Sequence, residues 1–174
     1  MIISKSPLLF RHYQIETFRG IEIVGGAGFC ARSLEALDRL SSQAAFETVE
    51  RYLARVAQGA RSGVRPWAIP PTFVVGGPTW RHSVLWYAGA IAHDAYHAKL
   101  YQQARSASGE PPDLRAWTGR EAEKRCLKFQ LQTLEGLKAD AGTLTYLEQL
   151  LLNPTYASER GGIRGWLDYL NRWW

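Results

Sequence analysis

The residues best suited to chemistry lie in the segment IAHDAYHAKLY, residues 91–101, where His93 and His97 stand four apart and Asp94 directly follows the first. On a helix that spacing projects both imidazoles from one face, one turn apart, and lets both reach a single ion at about 2.0–2.1 Å. Extending the stripe gives Trp86 and Ala90 before the pair and Leu100 and Ala104 after it, all apolar, so the histidines face an interior. Buried imidazoles must have their ring nitrogens satisfied, either by a metal with outer acceptors or by hydrogen bonds within a core. Spacing alone leaves both readings open. Asp94, directly after the first histidine, has as its plain reading a helix-surface acid beside a lysine.

A metal needs a third protein ligand, and the segment WTGREAEKRCLKFQLQTLEGL offers two glutamates. Thr118 and Glu121 have the spacing of a capping box, and the stripe from Glu121 through Arg125, Lys128, Gln132 and Glu135 is polar, so Glu121 looks outward. Glu123 begins a stripe through Leu127, Gln130, Leu134 and Leu137, with Cys126 beside it, which turns its carboxylate inward. A buried carboxylate needs a partner or a metal. The alternative is a first-turn acid stabilised by the helix dipole. Gln130 is placed to hydrogen-bond within the core or to brace a ligand.

Together, His93, His97 and Glu123 resemble the two-histidine, one-glutamate zinc set of the gluzincin branch of zincin-like metallopeptidases. The wider pattern WYAGAIAHDAYHAKLY followed by WTGREAEKRCLKFQ is similar to small bacterial zincin-like proteins in which a histidine helix precedes an "AE" helix. The resemblance covers roughly residues 72–137. It implies Zn²⁺ held by the three residues with a fourth position open to water, and a peptidase activity on a peptide or protein substrate. It also implies that substrate lies along an edge strand formed by Thr72, Phe73, Val74, Val75 and Gly76. Asp94 stands where the family motif has glutamate, and is the residue left to act as base. Tyr96, Tyr101 and His82 are candidates for stabilising the transition state, and nothing in the sequence selects among them.

Two other classes compete. His93-Asp94 is also the doublet of HD-type phosphohydrolases, which would make Asp94 a ligand; the upstream partners on offer are His82 and His12, the downstream ones Asp140 and Asp168. A non-catalytic domain stapled by its metal is the other, with the tail RGWLDYLNRWW either docking a protein partner or completing the core. The segment GGAGF lacks the lysine and following Ser/Thr of a phosphate-binding loop.

The elements that must position these residues are read from periodicity and punctuation. A long central helix is expected from Thr79 or Ser83 to about Ala104, then a loop through SASGEPPDLRAW, a helix from Gly119 to about Ala139, and a shorter one over 144–152. Upstream, GIEIVGG reads as a short strand, residues 33–40 as a helix capped by Ser33, residues 44–58 as a helix bearing Phe46, Val49, Leu53 and Val56, and Thr72–Val75 as a strand. The sum is a mostly helical α+β fold in a single domain, 1–174: a long metal-binding helix, a short edge strand or small sheet, and a following helix with the third ligand.

Composition bounds the remainder. With 46% hydrophobic residues, 174 residues suffice for one substantial core. The net charge of +5 is spread without like-charge blocks, which gives no footprint for a specific nucleic-acid partner. Cys30 and Cys126 form no CxxC pair, so neither a disulfide framework nor a cysteine zinc site is suggested and a reducing compartment fits. No leader pattern and no membrane-spanning apolar run is seen, making the cytoplasm the expected location.

Overall fold

The computed structural model describes residues 13–109 and 111–152. Strands β1 (Gln14–Phe18), β2 (Ile21–Gly25), β3 (Arg55–Gln58), β4 (Gly63–Arg65) and β5 (Thr72–Val75) form one five-stranded sheet in the order β1-β2-β3-β5-β4. The three inner strands β2, β3 and β5 run parallel, while β1 and β4 pair antiparallel at the two edges. Register explains the core: Ile23, Val56, Phe73 and Val64 are cross-strand partners in one continuous row, and all four are buried. The neighbouring row on the opposite face, Val24, Ala57 and Val74, is half-buried.

Helices α1 (Ala27–Ser41), α2 (Ala45–Tyr52), α3 (Gly77–Trp80), α4 (Val84–Ser108), α5 (Leu114–Thr118), α6 (Arg120–Gly136) and α7 (Ala141–Leu152) make up most of the described chain. α1 packs on β1 and β2, and α4 on β4 and β5; α6 then packs on α4, and α7 on α6. α4 is thereby a middle layer. Its Ala88, Ala92, Ala95 and Ala98 are all fully buried and share one face of the helix, opposite the histidines.

The expected α+β character and mostly helical content hold, and the central helix begins where Ser83 caps it, its Oγ accepting from the Trp86 amide at 3.0 Å. Four local expectations need correcting. The loop expected through SASGEPPDLRAW starts only after Ser108 and gives way to the short helix α5 at Leu114. Ser33 is no cap: α1 starts six residues earlier, and the buried Ser33 hydroxyl bonds to the Phe29 carbonyl at 2.8 Å and shares a 2.8 Å bond with the Tyr87 hydroxyl. The helix expected over 44–58 ends at Tyr52, where Leu53 turns extended, and Arg55–Gln58 pairs between β2 and β5. Leu53 and Val56 are both buried, so a helical stripe and a strand entering the core read alike there. The Thr118/Glu121 capping box does not form either; Gly119 is the N-cap, Thr118 donates to the Leu114 carbonyl, and Glu121 is exposed beside Lys124.

A fifth correction bears on function. β5 is an inner strand, hydrogen-bonded to β3 on one side and β4 on the other, so Thr72–Gly76 offers no free edge to a peptide. The edge beside α4 is β4. The expectations placed on His12, Asp168 and the Trp-rich tail fall outside the described residues. No helix among the described residues is long and apolar enough to cross a membrane.

Candidate metal centre

α6 packs against α4 beside Gly89, one turn before the first histidine. A Cβ on Gly89 would come within 2.9 Å of Leu134 Cδ1, so the missing side chain is what admits α6 to α4. One turn further along α4 come His93 and His97, exposed by only 5% and 2%. Facing them from α6 are Glu123 and Cys126, each at 0%. The sequence places these last two at i and i+3, on one face of a helix.

The donor atoms converge. His93 Nε2 and His97 Nε2 are 3.0 Å apart, and Glu123 Oε2 lies 3.5 Å from each of them. Ligands at about 2.0–2.1 Å from a tetrahedral ion are about 3.3 Å from one another, so these separations suit a common ion with small adjustments. The ligating atoms of His93, His97 and Cys126 all lie within 4.8 Å of one another. His97 Nδ1 is 2.6 Å from the Trp117 carbonyl oxygen, which can only accept, so the Nδ1 proton is fixed there and the Nε2 lone pair of the neutral ring faces the other donors.

Electrostatics follow from the burial. Burial opposes a charge on His97, yet the Cys126 sulfur and the Glu123 carboxylate beside it, through charge and hydrogen bonding, lift the imidazole well above its ordinary range. Burial likewise pushes the Cys126 thiol up, with His97 pulling it back in part.

A cavity of about 20 Å³ opens onto the cluster, lined among others by Ser62, Phe73, Trp86, His93, Asp94 and Gln130. That is room for one water. Asp94 thus borders the space next to the histidines, 9% exposed, and the buried Gln130 is there as well. The other nominated residues are elsewhere. Tyr96 stacks on Phe129 with the Lys99 and Arg125 cations over its ring, Tyr101 packs on Trp117, and His82 lies exposed against Trp86. None of the three lines the cavity. Of the proposed substrate strand, Phe73 does, from beneath.

No family model, curated protein or solved structure matches this chain. The site therefore stands on its own chemistry: two buried imidazoles that share their neighbourhood with a buried thiol, within 4.8 Å, and with a buried carboxylate, at 3.5 Å. Cys126 is the member that sequence reasoning discounted, for want of a second cysteine nearby. Its signal was present in the interior stripe it shares with Glu123.

Proposed function

We propose that this chain is a zinc-dependent hydrolase, most simply a peptidase, whose metal is held by His93 and His97 with donors from α6. The observation that carries this reading is the convergence of both Nε2 atoms and the Glu123 carboxylate beside a water-sized cavity bordered by Asp94. Two imidazoles with a carboxylate or thiolate suit zinc among the common ions. When bound there, zinc would supply a Lewis acid that polarises a scissile carbonyl and eases deprotonation of water.

The chain's own residues do the rest. Asp94 would take the water proton across the cavity and return it to the leaving amine; its side chain is one methylene shorter than the usual glutamate, and the cavity it borders has room for one water. Phe73 and Trp86 wall the cavity with apolar surface and limit competing water. The substrate backbone would pair with the outer edge of β4, whose first residue, Gly63, also lines the cavity.

A second reading, a non-catalytic domain stapled by its metal, is favoured by Cys126. If Cys126 and Glu123 both ligate alongside the histidines, four protein donors close the coordination sphere, as in structural zinc sites. The HD-type reading gains no such support: His82 is exposed against Trp86, and the Asp140 carboxylate is engaged with Thr143 at the start of α7.

Elemental analysis of the purified chain, with His93→Ala and Glu123→Ala variants, followed by a broad peptide-library assay on the loaded protein, tests the proposal. About one zinc per chain, lost in the histidine variant, with cleavage abolished by Asp94→Ala, is the expected result. Stoichiometric zinc without any cleavage would leave the staple, and no zinc at all would sink both readings.

A further inference from the structure

We propose that Trp67, in the segment between β4 and β5, is a positioning residue for the metal ligand His97 and acts through Trp117. The proposal rests on the metal reading above. Its basis is a chain of contacts running from the surface to the cluster. The Trp67 and Trp117 rings meet edge to face at 5.7 Å, Tyr101 closes on Trp117 at 5.6 Å, and the Trp117 carbonyl receives the His97 Nδ1 proton.

Trp117 belongs to α5, a helix of five residues. So short a helix has no stability of its own, and its place is set by what grips it. Asp113 caps it, its Oδ1 accepting from the Arg115 amide at 2.7 Å, and the Trp117 ring, 5% exposed, is held between Trp67 and Tyr101. The end of α5 leads straight into α6: the Gly119 amide bonds to the Arg115 carbonyl, and the Glu123 amide to the Gly119 carbonyl. Holding the Trp117 ring therefore fixes two things at once, the carbonyl that orients His97 and the start of the helix that brings Glu123 in.

Trp67 itself is 56% exposed, an unusual investment for a large aromatic side chain unless its covered face has a task. Its segment is tied to α4 by Gln102 Nε2 donating to the Pro66 carbonyl at 3.5 Å, and it follows directly on the β4 edge. Groups that orient a metal-bound histidine typically change metal affinity about 10- to 100-fold when removed.

The test uses the full chain, wild type beside Trp67→Ala and Trp67→Phe, each loaded with zinc and challenged with excess chelator, while thermal midpoints are recorded without metal. About one zinc per chain in all three is expected. Trp67→Ala should release it about tenfold faster, Trp67→Phe close to wild type, and cobalt-loaded Trp67→Ala should show a shifted visible absorption band. Equal release rates and identical cobalt spectra in wild type and Trp67→Ala would overturn the proposal. So would faster release matched by an equal loss of metal-free stability, since Trp67 would then be packing alone. A wild type that takes up no metal would overturn this proposal together with the metal reading, and is recognised before any variant is compared.

Discussion

Glu123 and Cys126 stand one turn apart on the same face of α6, both fully buried beside the paired Nε2 atoms of His93 and His97. Whether one or both of them ligate decides between an open and a closed metal site.

Substituting them separately answers that. His93→Ala and His97→Ala should each abolish stoichiometric metal uptake, because the pair forms the common edge of every donor set. If Glu123 is the ligand and Cys126 a neighbour, Glu123→Gln should weaken binding by at least about tenfold while Cys126→Ser changes it little. The intense sulfur-to-metal charge-transfer absorption of the cobalt form reads the alternative directly: its presence in wild type and loss in Cys126→Ser would place the thiolate on the metal.

Asp94→Asn preserves shape and hydrogen-bonding capacity but removes the base. Metal content should be unchanged and the peptide cleavage rate should fall by about 10²- to 10⁴-fold, the usual contribution of general acid–base catalysis. Loss of metal in this variant would instead make Asp94 a ligand and revive the HD-type alternative.

Metal capture must displace protons, and both His97 and Cys126 hold theirs to higher pH than free side chains do. Apparent zinc affinity, measured by competition with a chelator, should therefore keep rising with pH beyond the ordinary histidine range rather than levelling near 6.5. The metal-free chain has the opposite dependence from His97. Its raised folded-state pKa contributes stability that is full below the unfolded value and is lost as pH rises through the folded value. Thermal midpoints of the metal-free and loaded protein should diverge as pH increases.

Gly89→Ala places a methyl against Leu134, whose side chain would be 2.9–3.1 Å away. Overpacking of this kind costs about 1–3 kcal/mol. It should also part α4 from α6 near the donors, so that metal affinity falls together with the thermal midpoint. A variant with unchanged affinity would show that the cluster tolerates movement between its two helices.

Much of this was legible in the sequence. The interior stripes of α4 and α6 are legible because helical periodicity is a direct image of burial, and of the two grounds that separate Glu123 from Glu121 the stripe holds while the capping box does not; in the structure the first is buried and the second exposed. What was lost depended on pairing between distant segments. Nothing local distinguishes Arg55–Gln58 as a strand, since its register with β2 and β5 is a tertiary choice. The strand Thr72–Val75 was recognised, but its inner place required knowing that Gly63–Arg65, only three residues long, would pair outside it. Cys126 was visible as an interior residue, and only the geometry of two helices shows that it meets the histidines.

The enclosure of α4 around the histidines, between the sheet on one side and α6 on the other, has a consequence for the energetics of ligand capture. Two histidines on a surface helix must give up rotamer freedom when an ion arrives, whereas His93 and His97 have surrendered theirs during folding. The donor set is preorganised, and the entropic cost of assembling it falls on the fold rather than on the ion.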